Sequence, residues 1–363
     1  YNNYLFLDVT ARNDWSSTLA FTNSASKGFF YPSIGLTALL SDMFKMPEFV
    51  SFAKLRASWS QVGNDIPLYL SNPLNTILAK GTLNVNKYAP FKNLKPEIST
   101  SIEAGADFRF FKNVLTLDLS FYKTNTRNQF FTLNAPAGSN YTQYYVNAGN
   151  IENKGVEIIL GVNPFDKRDF KWNSSINFAL NRSKVIELTP ELKVFNYSGT
   201  SSNSYWMRLE EGGHVGDIYG VVYARDNNGK ILLDSKGLPQ KKQVDGSVVF
   251  EKVANASPKF NLGWSNGFSY KNLFLNFLVD GRFGGDVISM TQADLDQVGV
   301  TKTTGKDRDR GYVNLEGLKI TDVKGFYSRV GGRDGITEQY VYKATNVRLR
   351  ELSVGANLFF FFF

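Results

Sequence analysis

The chain contains one histidine, His214, within Glu210-Glu211-Gly212-Gly213-His214-Val215-Gly216-Asp217. A histidine-rich zinc site needs several imidazoles or thiolates, and the chain has His 1 and Cys 0. A Ser-His-Asp triad would have to recruit His214, but no nucleophile elbow surrounds it, and it reads as part of a Gly-rich loop. The adjacent Glu210 and Glu211 point apart in an extended segment, so they make a poor carboxylate pair. Asp226-Asn227-Asn228-Gly229-Lys230 lacks the acidic spacing and closing glutamate of a calcium loop. Between Val221-Val222-Tyr223 and Ile231-Leu232-Leu233 it reads as a hairpin turn. Thr304-Gly305-Lys306-Asp307 has the Gly-Lys pair of a phosphate loop, without the following hydroxyl and with Val300 where an earlier glycine belongs. No catalysis, metal or cofactor is expected.

Two stretches have the chemistry of recognition. Tyr205-Trp206-Met207-Arg208 could stack on a sugar ring or grip a peptide, or simply pack within a loop. Asp280-Gly281-Arg282-Phe283-Gly284-Gly285-Asp286 sets Asp280, Arg282 and Asp286 where a strand ends. Its glycines suit a tight exit, and its charges could line a portal. Tyr205, Trp206, Arg208, Asp280, Arg282 and Asp286 are therefore the candidate substrate-contacting residues.

The elements that must position them are strands. Leu5, Leu7, Val9 and Ala11 alternate with Phe6, Asp8 and Thr10, and Leu55, Ala57 and Trp59 with Lys54, Arg56 and Ser58. The clearest hairpin sets Ile102, Ala104, Ala106 and Phe108 before a turn at Phe111-Lys112-Asn113, and Leu115, Leu117, Leu119 and Phe121 after it. Similar runs recur at Val156–Val162, Trp172–Leu180, Phe260–Phe268 and Leu273–Val279, giving about ten strands of about ten residues each. In the last strand the phase shifts by one residue between Leu349 and Leu352, which predicts a β-bulge near Arg350-Glu351. The run Phe359–Phe363 has no inside-outside alternation.

Gaps alternate between tight turns and long polar loops, the longest at about 182–257 and 284–342. That rhythm predicts an all-β fold: an antiparallel transmembrane β-barrel with short periplasmic turns and long extracellular loops. The composition of 363 residues is compatible, with hydrophobic content 42%, aromatic content 15% and mean hydropathy -0.24, because only alternate residues need face lipid. The net charge of +8 arises from 41 basic and 33 acidic residues spread along the chain, which argues against a nucleic-acid partner. The N-terminus opens directly into a strand pattern with no leader signature, so a mature chain or a fragment is expected.

Several strings are specific. Leu94-Lys95-Pro96-Glu97, Glu103-Ala104-Gly105, Asp118-Leu119-Ser120-Phe121-Tyr122-Lys123, Asn147-Ala148-Gly149-Asn150-Ile151-Glu152-Asn153-Lys154-Gly155-Val156-Glu157, Asp280–Asp286 and Val347-Arg348-Leu349-Arg350-Glu351-Leu352 resemble, in order, the SusC/RagA class of TonB-dependent outer-membrane transporters. The resemblance implies a 22-stranded barrel around an N-terminal plug in the outer membrane of a gram-negative bacterium. It further implies a SusD-like surface lipoprotein as partner, TonB as energy source, oligosaccharide or peptide cargo, and a dimer of transporter-lipoprotein pairs. On this reading residues 1–363 are a C-terminal part of the barrel, without the plug. The competing expectation is a secreted β-sandwich that binds glycan through Tyr205 and Trp206; an outer-membrane enzyme would rest on His214 alone.

Overall fold

The computed structural model describes residues 2–72, 74–89, 93–134, 140–189, 193–197 and 204–357. Leu358 and the run Phe359–Phe363 lie outside the described residues. Ten strands follow one another in chain order through one sheet: β1 (Leu5–Asp14), β2 (Phe29–Leu39), β3 (Val50–Asn64), β4 (Glu97–Phe110), β5 (Leu115–Asn134), β6 (Gln143–Asp166), β7 (Phe170–Glu187), β8 (Phe260–Tyr270), β9 (Leu273–Phe283) and β10 (Asn346–Ala356). From β1 to β8 every pairing along this path is antiparallel, and a short strand at Tyr88–Ala89 joins β6 in parallel. Among the described residues, β1 and β10 are the open edges.

The register makes the two faces unlike. Because side chains alternate, residues paired directly across strands share a face. One row reads Leu5–Ala38–Leu55–Ala106–Leu119–Ile158–Phe178–Leu262 across eight strands. A neighbouring row reads Leu7–Leu36–Ala57–Ala104–Phe121–Val156–Leu180. Between them, on the other face, runs Thr37–Arg56–Gly105–Ser120–Glu157. On that face Arg56 donates to Asp107 at 2.9 Å and to Asp118 at 3.0 Å, and Lys54 also pairs with Asp107. Gly105 gives the Arg56 guanidinium room to cross: a Cβ on it would lie 2.6 Å from that group and push it aside.

The apolar face is not covered. Leu36 is 46% exposed, Phe121 52% and Ile102 57%. A β-sandwich would interleave these side chains with a second layer, so the structure rules out that alternative. Such an area of exposed hydrocarbon needs a non-aqueous neighbour, which the lipid of a membrane supplies.

Turns are tight at one end of the sheet. Phe111, Lys112 and Asn113 are three successive residues at φ 53, 56 and 70, and the Lys112 N–H donates to Ser51 Oγ at 2.7 Å. Apolar-face aromatics gather near this end: Phe108–Phe110 centroids are 5.9 Å apart, Phe165–Trp172 6.1 Å and Trp172–Phe268 5.6 Å. The opposite end carries the long connections, and there β5, β6 and β7 run to 20, 24 and 18 residues, well beyond the expected ten. The expected bulge in β10 is visible in its contacts. Asp280 and Asn276, four apart and hence on one face of β9, reach Arg350 and Ser353, which are three apart.

Sequence patterning read 182–257 and 284–342 as loops. The structure corrects this: residues 194–259 and 282–346 form a second compact unit. It has a four-stranded sheet (Val194–Tyr197, Tyr205–Glu210, Asp217–Val221, Phe250–Asn255) and helices α1 (Met290–Gln297), α2 (Lys302–Arg310) and α3 (Val323–Val330). Its core holds Val221, Ile231, Val313, Phe326, Val330 and Ile336. Side chains of Ser289, Thr301 and Asp322 cap the three helices by accepting from Gln292, Thr304 and Gly325 N–H groups.

Leu119 stands in the apolar rows between Ala106 and Ile158, four residues in from the turn-end Leu115, about 10 Å into an apolar band about 25 Å tall. In the full-length protein folded into lipid, Leu119→Arg should cost roughly 2–4 kcal/mol. Denaturant titration in liposomes checks this; an unchanged midpoint would contradict a lipid-facing wall.

Candidate functional site

Tyr205, Trp206 and Arg208 lie in a strand, not a loop, and the strand separates them. Trp206 pairs with Tyr219 and Arg208 with Asn196, whereas Tyr205 pairs with Gly220 and so points to the opposite face. On the Trp206 face, the Arg208 guanidinium stacks 4.1 Å over the Tyr219 ring and its Nε donates to Asn196 Oδ1 at 2.8 Å. The Tyr219 hydroxyl donates to Glu210. Burial, and then that bond to Glu210, push the Tyr219 phenol up to about 12. Lys252, paired opposite Tyr219, extends the face and ion-pairs with Asp217 at 2.8 Å. The result is a half-buried platform of an indole, a phenol and a guanidinium, held flat by cross-strand partners. Such a surface can stack on a planar or pyranose face and offer charged hydrogen bonds at its rim.

The Asp280–Asp286 string is taken up by structural contacts. In the wall, Asp280 accepts from Arg348 Nη2 at 3.0 Å and from Arg350. In the second unit, Arg282 donates to the Ala256 carbonyl, and Asp286 accepts from Lys343 Nζ at 2.8 Å and from the Asn255 N–H at 3.1 Å. Gly284 and Gly285 sit at φ 76 and 77, and a Cβ on Gly285 would meet the Ala256 and Ser257 carbonyls at 3.1 Å.

His214 belongs to the turn between the strands Tyr205–Glu210 and Asp217–Val221, with Gly212 and Gly216 at φ 83 and 92. Its N–H donates to Asp217 Oδ2 at 3.0 Å. Asp226–Lys230 is a hairpin turn: Asp226 Oδ1 accepts from the Asn228 and Lys230 N–H groups, and Gly229 sits at φ 81. Thr304–Asp307 lies inside α2. Among the described residues no three His, Asp or Glu side chains converge as a metal site.

Two features had no signal in the sequence. A cleft of about 510 Å³ at the long-connection end is lined by Asp14, Trp15, Tyr31 and Asp65 among others. Asn147, inside a string read only as a resemblance, works as a clamp. Its amide accepts from Lys95 N–H and donates to Lys95 C=O, both at 2.7 Å, and donates to the Asn128 carbonyl at 2.9 Å. It thereby ties the Leu94–Glu97 segment, with Leu94 fully buried, onto the β5–β6 pair.

An antiparallel meander with one uncovered apolar face, one charged face and turns that alternate short and long is a piece of transmembrane barrel wall. The family model "TonB dependent receptor-like, beta-barrel" matches residues 1–332. The chain is 27% identical to TonB-dependent receptor P3 of Formosa agariphila, over 98% of the chain and 37% of that protein. It is 25% identical to TonB-dependent receptor SusC of Bacteroides thetaiotaomicron, over 98% of the chain and 36% of that protein. The structure of the RagAB peptide transporter superposes with a TM-score of 0.72 at 19% identity, covering 98% of this chain and 39% of that one. The chain belongs to the TonB-dependent receptor β-barrel family and is a protein of the gram-negative outer membrane. It spans less than two fifths of the length of these relatives.

Two measurements on the full-length protein follow. Asn147→Ala removes the side chain that joins Lys95 to the Asn128 carbonyl and should lower stability by about 0.5–1.5 kcal/mol, read as a lower thermal midpoint. Burial alone would raise the Asp217 carboxyl, but Lys252, Asn255 and the His214 N–H outweigh it and hold it below its ordinary value. A carboxyl lowered on folding adds stability that is complete above its unfolded value and is lost as pH falls through the folded one. Thermal stability should therefore drop on acidification below about pH 4, and Asp217→Asn should flatten that part of the profile.

Proposed function

We propose that the chain is the C-terminal part of the barrel of an active outer-membrane importer, whose plug lies elsewhere in the full protein. The importer draws energy through TonB, works with a SusD-like surface lipoprotein, and carries oligosaccharides or peptides. The observation that carries this reading is the two-faced register. Its apolar rows meet lipid, while Lys54, Arg56, Asp107 and Asp118 stay wet on the other side, as the wall of a hydrated passage requires. Ten wall strands are too few to enclose a plugged lumen, in keeping with a portion of a larger barrel.

Of the six candidate residues, Trp206 and Arg208 are proposed to touch cargo, together with Tyr219. Tyr205, on the other face of the strand, is proposed to support them. Asp280, Arg282 and Asp286 are proposed to shape the strand exit through the partners described above.

The test uses cells carrying the full-length protein, with a labelled malto-oligosaccharide and a labelled peptide mixture as probes. Uptake of one probe should depend on TonB. Trp206→Ala should weaken capture of that probe roughly 3- to 10-fold, the worth of one aromatic contact at about 0.5–1.5 kcal/mol. Unchanged uptake of both probes after TonB is deleted would overturn the import reading.

A further inference from the structure

Guanidinium groups elsewhere in the second unit hold its structure together. Arg225, Arg310 and Arg329 pair with carboxylates, and Arg282 and Arg308 donate to backbone carbonyls. On the platform itself, Lys252 is taken by the buried Asp217. Arg208 is different. Its Nε donates to Asn196 Oδ1 at 2.8 Å and its plane lies 4.1 Å over the Tyr219 ring. Among the described residues, neither of its terminal nitrogens makes a hydrogen bond and no carboxylate pairs with it. The fork that suits a planar anion is therefore unspent.

That fork is also held in place. The bond to Asn196 fixes one edge of the guanidinium, and the phenol fixes its plane. The phenol is in turn fixed by its bond to Glu210, and Glu210 makes no ion pair with Arg208 among the described residues. A mobile arginine gives up rotamer freedom when it takes an anion. Arg208 has given it up on folding, so an anion bound there carries less of that cost.

Trp206 lies two residues before Arg208 and on the same face of the strand, about 6.6 Å away along it. An aromatic face favours a flat apolar surface, such as the C–H side of a pyranose ring. A ring seated on the indole with a carboxylate at its edge would place that carboxylate against the fork, one charge-assisted hydrogen bond of about 2.8 Å away. In a uronic acid the carboxylate is attached to the ring itself, so stacking and ion pairing are reached together. A peptide carries its carboxylate on a rotatable chain and must order it to reach both.

We propose that Trp206 and Arg208 select an acidic sugar: a uronate ring stacks on the Trp206 indole while its carboxylate takes the terminal nitrogens of Arg208 in two parallel hydrogen bonds. The inference rests on the cargo-contacting role proposed above for this face and narrows it to one substrate class. A neutral pyranose keeps the stacking and forfeits the ion pair, so it still binds, more weakly.

The full-length transporter in detergent is titrated calorimetrically, at fixed ionic strength, with trigalacturonate, its methyl ester and triglutamate. Trigalacturonate should bind about tenfold or more tighter than either of the others, the worth of one charge-assisted contact. Arg208→Gln should remove the preference over the ester. Arg208→Lys keeps the charge without the fork and should lower the preference at least threefold. Lys230→Gln, on the hairpin turn at Asp226–Lys230, is the control and should keep the wild-type preference. Should Arg208→Gln fail to assemble, Arg208→Lys decides. Equal affinity of the wild type for the acid and its ester, a wild-type preference in the deciding Arg208 variant, or triglutamate binding as tightly as trigalacturonate would overturn the proposal. Uptake of the labelled sugars with and without TonB, measured in parallel, reports on import alone. Arg208-dependent binding with TonB-independent uptake would count against import and leave the site standing; TonB-dependent uptake with no preference for the acid would do the reverse.

Discussion

The structure depends on strand register. Two rows of aliphatic and aromatic side chains stay in step across seven and eight strands, and the hydrogen-bond ladder fixes which residues belong to them. A slip of one residue at the β4–β5 hairpin would bring Asp118 to the place of Leu117 and drive a carboxylate into hydrocarbon. The cost is large because lipid offers a stray charge no water. The tight left-handed turn at 111–113, tied to Ser51, makes that slip geometrically difficult as well as energetically costly.

The polar face shows the complementary logic. Arg56 reaches two aspartates on two further strands because Gly105 leaves room for its guanidinium to lie across the sheet. Cross-strand charge pairs of this kind hold side chains flat against a wall that must leave its centre open. The same economy recurs at Asp280 with Arg348 and Arg350. Charges in this protein that look available in the sequence are mostly engaged in holding strands and exits in place.

The wall was legible in the sequence because its signal is redundant: a period of two, repeated in strand after strand, with turn lengths that alternate. The second unit was not legible, for reasons that can be named. Helix α2, Lys302–Arg310, contains no apolar residue, so no helical stripe exists to be read. The core side chains Val313, Phe326 and Ile336 come from short elements separated by turns, and no window holds enough of them to show a pattern. Trp206 and Arg208 stood out by type, yet Tyr219, which stacks on one and pairs with the other, lies beyond a glycine-rich turn. Asn147 shows the limit of a resemblance: the string was recognisable, while two of the three hydrogen bonds that explain it join segments 52 residues apart and the third 19.

The chain leaves β9 and comes back to β10 through a narrow neck. Asp286–Ile288 pairs antiparallel with Val341–Lys343, and the Asp286–Lys343 ion pair locks it. The excursion from Ser289 to Tyr340 begins and ends at that clasp. The entropy of closing the excursion is met at its base, whatever lies further out. Within the second unit the same excursion is fixed again by its core, where Phe326, Val330 and Ile336 pack with Val221 and Ile231, and by the Arg225–Glu338 ion pair. Turns between such fixed points can therefore vary in length at little entropic cost, while the clasp and the core set where the chain must return.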